Sequence, residues 1–498
     1  MTNRFNEASL AEINAVMERS LTAFQEYRQI SSDDKAVFLE CIATEIEALG
    51  DALIVQASAE TNLPAARLTG ERGRTTFQLR MFANMLREGS WVEASIDTAI
   101  PDKNPPKPDI RKQLIALGPV VVFGASNFPF AYSTAGGDTA SALAAGCSVV
   151  VKAHPAHAAT SQMVYEAIQT AIAKTNMPKY IFQHVHGSSF EIGKTLVQHD
   201  ATAAVGFTGS FAGGKALYDH AAARKNPIPV FSEMGSINPV ILLPDSVNKN
   251  AASLAKQLAA SITLGMGQFC TNPGLLLTVE SEGLHSFIDT LGNEIEKVIP
   301  ANMLHAGIHT AYDNKMHDAL AQKAVVLIKH SSVVSKNIEA LPTVATVNAQ
   351  IFLANPLLHE EVFGPYSLLV VCKNINELIA VWKSVRGQLT TSLMGTDQDL
   401  ADHPELLQIA ESIAGRIVFN NVPTGVEVCA SMVHGGPFPA STDSRFTAVG
   451  IHAVKRWVRP VCYQNCPQQL LPEALKNENT KRIWRLVNNE WTKNDVEC

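Results

Sequence analysis

The chain has 498 residues, 46% hydrophobic and 17% charged, with a formal net charge of −7. That length predicts two or three domains with large cores, and the acidic balance argues against nucleic acid or an anionic membrane as partner. No apolar run reaches the ~18 residues of a membrane-crossing helix, and Met1 to Ser20 carries no apolar leader core, so the cytoplasm is the expected location. Eight cysteines stand at 41, 147, 270, 372, 429, 462, 466 and 498. They form no Cys-x-x-Cys pair and no spaced Cys/His cluster, so free thiols in a reducing compartment and no metal site are expected.

Residues 8–90 read as helices, because Val37, Phe38, Cys41, Ile42, Ile46 and Leu49 recur at intervals of three and four. Asp33 and Asp34 precede that run as caps. The stretch from Pro101 to Pro108 cannot continue a helix and marks a boundary or an exposed arm. From Gly118 short apolar runs alternate with helical patterns. Pro119–Phe123, Ser148–Lys152, Tyr180–Val185, Ala203–Phe207 and Ile228–Ser232 read as strands, with helices near 137–146, 160–174, 189–198 and 211–224. This alternation predicts an α/β fold with a parallel sheet and crossover helices. A second series runs from about 251 to 430, with strands at Gly274–Val279, Tyr366–Val371, Leu389–Met394 and Arg416–Phe419. Beyond Val454 the chain is polar, holds Trp457, Trp484 and Trp491, and reads as an appendage that packs on something, such as a second subunit.

Several turns carry residues suited to chemistry. Cys270 lies between a helical run and an apolar strand, and Glu233 is an isolated acid 37 residues upstream. A thiol and a carboxylate so placed suit a nucleophile with a base beside it, and burial would raise the Glu233 pKa toward neutrality. An inert buried thiol and an exposed strand-end acid are the competing readings. Lys152 closes a run of three valines, at the strand edge where open α/β sheets bind ligands, or it is simply a solvated strand end. Asn127 follows an apolar strand and offers an amide to a developing oxyanion, or makes an ordinary turn. The turn at Gly209-Ser210 joins a strand to a helix, so its N–H groups suit a pyrophosphate, or it is a tight turn with no ligand; no G-x-G-x-x-G fingerprint is present. Glu360 and Glu361 read as a solvated acidic doublet.

In order along the chain, these motifs resemble those of the aldehyde dehydrogenase family over nearly its whole length. The set comprises the Asn127 turn, Lys152, Gly209-Ser210, Glu233-Met234-Gly235, Gly267-Gln268-Phe269-Cys270, Glu361-Val362-Phe363-Gly364-Pro365 and His434-Gly435-Gly436-Pro437. Within the family, Gly235-Ser236-Ile237-Asn238-Pro239, Cys270-Thr271-Asn272-Pro273-Gly274 and Arg459-Pro460-Val461-Cys462-Tyr463-Gln464 are similar to the branch acting on α-ketoglutaric semialdehyde (2,5-dioxopentanoate).

The resemblance implies a Rossmann-type cofactor domain (1–103 and 118–235), an α/β catalytic domain (236–436), an oligomerisation arm (104–117 and 454–475) and a tail (476–498). It implies oxidation of an aldehyde to an acid through a Cys270 thioester, with Asn127 and the Cys270 N–H at the oxyanion and Glu233 activating water. Lys152 is expected at the adenosine ribose, Gly209 and Ser210 at the pyrophosphate, and Glu361 with Phe363 at the nicotinamide ribose. His434 is a further catalytic candidate, tuning the thiol or shuttling a proton, or else a satisfied loop histidine. Arg74, on a helix similar to the one lining the family's substrate entrance, is the candidate for a substrate carboxylate, or else a helix-surface arginine. The alternatives are a long-chain or broad aliphatic aldehyde dehydrogenase and a non-catalytic homologue acting as a binding protein. A homodimer or homotetramer is expected.

Two departures from the family pattern stand out. Ser126 replaces the tryptophan that often precedes the asparagine. Pro155 stands where many NAD-preferring members carry glutamate, and Pro155 and Phe190 stand where an NADP-linked relative uses threonine and arginine. The cofactor therefore reads as NADP or NAD. His154 and His157 are read as surface histidines, with assistance to a 2′-phosphate as the other possibility.

Overall fold

The structure, a computed structural model, describes residues 5–497. Met1–Arg4, part of the segment read as lacking a leader core, and Cys498 lie outside the described residues. The described chain up to residue 88 is helical as expected: α1 (Leu10–Tyr27), α2 (Ser32–Ala48), α3 (Gly50–Thr61) and α4 (Ala65–Glu88). The cap of α2 differs from expectation. Ser31 caps it by accepting the Asp34 N–H at 3.1 Å, while Asp33 and Asp34 lie in the first turn, where acids complement the helix dipole.

Five parallel strands follow: β1 (Val120–Phe123), β2 (Val149–Lys152), β3 (Phe182–Val185), β4 (Ala204–Thr208) and β5 (Val230–Glu233), in the order β3-β2-β1-β4-β5. Interleaved with them are α5 (Gly137–Ala145), α6 (Ala158–Lys174), α7 (Phe190–Gln198) and α8 (Phe211–Ala222). The apolar runs of these strands have a physical reason. Val120 and Val122 join a core with α2 to α6, whereas Val121 and Phe123 face a core with α1, α7 and α8. A strand buried on both faces cannot alternate apolar with polar.

The second sheet holds β6 (Val240–Leu242), β7 (Leu275–Val279), β8 (Val326–His330), β9 (Thr343–Asn348), β10 (Tyr366–Cys372), β11 (Gln388–Met394) and β12 (Ala414–Phe419). Its order is β8-β9-β10-β7-β6-β11-β12, parallel except at the β8–β9 edge. Three of its strands, β6, β8 and β9, were not expected from the sequence. On its faces lie two cores, one of them closed by α9 (Pro244–Thr263).

A third sheet joins distant parts of the chain. Ile110–Ala116 pairs antiparallel with Val458–Gln464 and with Ser95–Asp97, and Ser95–Asp97 pairs in parallel with Arg485–Val487. Among the described residues no helix is long and apolar enough to cross a membrane, and the seven described cysteines are free.

Candidate active site

The end of β5 meets the second half of the molecule, and Glu233 is its last residue. An antiparallel bridge pairs Glu233 with Ser441, the Met234 N–H donates to Ala440 O at 2.8 Å, and the Thr442 N–H donates to Ser232 O at 3.1 Å. This ladder fixes the loop that starts at His434. The path of that loop requires glycine at 436, where a Cβ would lie 2.1 Å from the Gln388 carbonyl oxygen. His434 is 1% exposed, and its N–H donates to Thr447 Oγ1 at 2.9 Å.

Cys270 arrives on a separate loop between α9 and β7. Asn238, fully buried, holds that loop by donating Nδ2 to the carbonyls of Cys270 and Asn272, both at 2.9 Å. Gly267 lies against the next loop so closely that a Cβ would stand 2.2 Å from Gly364 O. Asn272 Nδ2 donates to the same carbonyl at 3.1 Å.

These two loops bring Cys270 Sγ to 3.4 Å from His434 Nε2, and His434 Nε2 to 3.0 Å from Glu233 Oε1. The donor atoms of all three residues lie within 4.8 Å of one another. The His434–Glu233 approach has ion-pair length without hydrogen-bond alignment, and neither Glu233 oxygen nor His434 Nδ1 has a protein hydrogen-bond partner. Such a cluster suits proton transfer to and from a nucleophile. Burial pushes the Cys270 thiol well above its usual range, and the Glu233 charge adds to this. The resting group is therefore a thiol, which must lose its proton to a neighbour before it attacks.

Asn127, 8% exposed, donates Nδ2 to Gln268 O at 3.1 Å. An amide carries two hydrogens, so one fastens it to the Cys270 loop and the other is available. Arg74 donates Nη2 to Tyr132 Oη at 3.2 Å and lies over that ring at 5.4 Å, with Nε unpartnered. Its charge reaches Cys270, as does that of Arg416 at the start of β12.

Arg67 was not anticipated. It donates Nη2 to Asn127 O at 2.7 Å, stacks on Phe128 and Phe269 at 5.0 and 4.7 Å, and leaves Nη1 without a protein partner. Glu71, also missed, is 5% exposed and accepts the Phe130 and Ala131 N–H groups at 2.8 and 3.0 Å. The signal was present: positions 67, 71 and 74 share one face of α4.

Lys152 ends β2, and burial lowers its pKa to about 8. Gly209 and Ser210 are exposed at the start of α8, whose twelve residues give it a full N-terminal dipole. The Gly209 N–H donates to Glu233 O at 3.0 Å, which links this turn to the thiol cluster. The acidic doublet divides. Glu360 is exposed, but Glu361 is drawn in, and burial raises its pKa to about 7. A Cβ on Gly235 would come within 2.3 Å of Glu361 Oε2. Phe363, half-buried, shares a cleft with Glu361, Lys315 and Gly267. His157 is not a surface residue. It is fully buried, with Nε2 at 2.8 Å from Ala125 O and Nδ1 at 3.1 Å from Ser161 Oγ.

The chain is similar to several known proteins. The chain is 48% identical over 483 residues to alpha-ketoglutaric semialdehyde dehydrogenase 2 of Azospirillum brasilense, covering 97% of this chain and 92% of that one. It is 43% identical over 492 residues to alpha-ketoglutaric semialdehyde dehydrogenase of Acinetobacter baylyi, covering 98% and 93%. Among solved structures, glyceraldehyde-3-phosphate dehydrogenase GapN from Methanocaldococcus jannaschii, complexed with NADP, superposes with a TM-score of 0.77 at 18% identity, covering 92% and 95%. The model of the aldehyde dehydrogenase family matches residues 1–453, and the chain belongs to that family.

Proposed function

We propose that the chain oxidises 2,5-dioxopentanoate to 2-oxoglutarate, using NAD or NADP as hydride acceptor and Cys270 as nucleophile. The cluster of Cys270, His434 and Glu233 within 4.8 Å carries this reading. Support for the substrate comes from the two relatives' names and from Arg67 and Arg74, whose unpartnered guanidinium donors suit a carboxylate remote from the aldehyde. The residues also suit a dinucleotide: an exposed turn leads into α8 and its N-terminal dipole, and the Glu361 carboxylate reaches over Gly235. Lys152 would hold the adenosine ribose, Gly209 and Ser210 the pyrophosphate, and Glu361 with Phe363 the nicotinamide ribose. When bound, the nicotinamide accepts the hydride.

The chain's own residues do the rest. His434 Nε2, at 3.4 Å, takes the thiol proton as Sγ attacks the aldehyde carbon. The oxyanion is held by the free Asn127 amide hydrogen and the Cys270 N–H. After hydride loss the carbonyl reforms as a thioester. Glu233 then takes a proton from water, the hydroxide adds to the thioester carbon, and the C–S bond breaks to give the acid and return the thiol.

A long-chain or broad aliphatic aldehyde dehydrogenase is the second reading, favoured by the paired rings of Phe128 and Phe269, which follow Asn127 and precede Cys270 in the chain. Steady-state kinetics with 2,5-dioxopentanoate, succinic semialdehyde and a long aliphatic aldehyde, each with both cofactors, decide between them. A preference for the aliphatic substrate overturns the first. The domain divisions at 1–103 with 118–235, 236–436, 104–117 with 454–475, and 476–498 belong to the same proposal. So does a homodimer or homotetramer in the cytoplasm, supported by Trp484, Trp491 and Leu470 standing exposed around the third sheet.

A further inference from the structure

We propose that Glu7 discriminates between the two cofactors, its carboxylate standing where a 2′-phosphate on the adenosine ribose would have to sit, so that the chain prefers NAD. The inference rests on Lys152 marking the ribose, as in the function proposed above.

The strand register supports it. Lys152 pairs with Val185, and the Ala153 N–H donates to Val185 O at 2.9 Å, so β2 and β3 end side by side. The turn 186–189 after β3 is therefore the immediate neighbour of Lys152. The N-terminal segment crosses this turn and is fixed there twice. The Ala8 N–H donates to His186 O at 3.1 Å, and the Phe5 ring stacks on the His186 ring at 4.2 Å.

Between those two anchors, one oxygen of Glu7 accepts three hydrogen bonds. The Ser188 N–H and Oγ–H donate at 2.8 Å and the Ser189 N–H at 3.0 Å. Ser189 is the N-cap of the nine-residue α7, so the carboxylate meets the positive end of a helix dipole. The Ser188 hydrogen bonds hold the Glu7 carboxyl below its usual range, and its charge in turn reaches Lys152. All three bonds go to Oε1.

An acid beside the ribose has opposite effects on the two cofactors. A ribose 2′-hydroxyl can donate a hydrogen bond to a carboxylate. A 2′-phosphate, with close to two negative charges at neutral pH, would meet a like charge with Lys152 as the adjoining cation. The positions where a carboxylate or an arginine would otherwise decide the matter hold Pro155 and Phe190, and the Phe190 side chain is 98% exposed. The acid missing from the strand end is thus supplied by the N-terminal segment.

The test measures kcat/KM for NAD+ and for NADP+ with one aldehyde, in the wild type, Glu7→Gln and Glu7→Arg. Equilibrium titration of both cofactors accompanies it. The expected result is a wild type favouring NAD+, with a ratio that moves toward NADP+ by about tenfold or more in Glu7→Gln and further in Glu7→Arg, chiefly through KM. A merely structural role for Glu7 would alter both cofactors together and leave the ratio fixed. The proposal is overturned by a wild type that favours NADP+, or by a ratio that stays within roughly threefold across the three proteins. Cofactor binding that responds to residue 7 in a protein that oxidises no aldehyde would sink the catalytic reading and keep the role of Glu7.

Discussion

Two arginines, Arg111 in the third sheet and Arg74 at the thiol cluster, show how differently one side chain is treated in two regions. Arg111 is 3% exposed, and Nε, Nη1 and Nη2 all donate: to Asp109 at 2.9 and 3.0 Å, to Leu475 O at 2.5 Å and to Asn477 Oδ1 at 2.7 Å. It is a finished joint between strand and tail. Arg74 has one hydrogen bond, to a tyrosine, and an idle Nε. An unpartnered donor does not by itself mark function, because buried Arg485 in the third sheet also leaves Nε unpaired. What separates Arg74 is its company. Glu233 and His434 also have unpartnered polar atoms, and with Arg74 they gather around one thiol. Buried charge left open is costly, and such cost gathers at sites of chemistry.

Replacing the thiol tests that contrast most severely. Cys270→Ala should lower kcat by about 10⁴-fold or more while the protein stays folded, as read from NAD(P)H formation and circular dichroism. Residual turnover near the wild-type rate would move the nucleophile elsewhere. Glu233→Gln should slow thioester release by roughly 10²- to 10³-fold but preserve a burst of NAD(P)H. Loss of the burst together with turnover would show that Glu233 acts before the thioester forms. The same variant has a pH consequence. Glu233 helps raise the Cys270 pKa, so removing its charge should shift the pH dependence of Cys270 alkylation to lower pH.

Arg74→Ala should cost about 10- to 100-fold in kcat/KM for 2,5-dioxopentanoate, the scale of one or two charged hydrogen bonds. Simple aliphatic aldehydes should be spared, and equal losses for both substrates would reduce Arg74 to a structural residue like Arg111. The smallest effect belongs to Lys152. Its pKa of about 8 means that the cation is present below that pH and lost above it. The KM for the cofactor should therefore rise as pH passes ~8, and Lys152→Arg should flatten the rise. A KM independent of pH between 7 and 9 would contradict a contact with the ribose.

Much of this was legible in the sequence where physics acts locally. Runs such as Val149–Lys152 announce a strand buried on both faces, and the boundaries found lie within two residues of those expected for all five strands of the first sheet. The strand Val240–Leu242 escaped because three residues show no period, and Val326–His330 escaped because it is a largely exposed edge strand. His434 was flagged by its loop, but its approach to Cys270 depends on the ladder between Ser232 and Thr442, which no local pattern records. Glu7 was not flagged at all, since its significance arises from a turn 181 residues away.

The ladder at the end of β5 also limits how the molecule can move. Ser232, Glu233 and Met234 are tied to Ala440, Ser441 and Thr442 by backbone bonds, so the reacting groups rest on a riveted floor. Opening the cleft like a book would break those bonds and part Glu233 from His434. Traffic in and out must then pass over the walls, with Glu233 and His434 keeping their distance while Cys270 stands on a loop of its own.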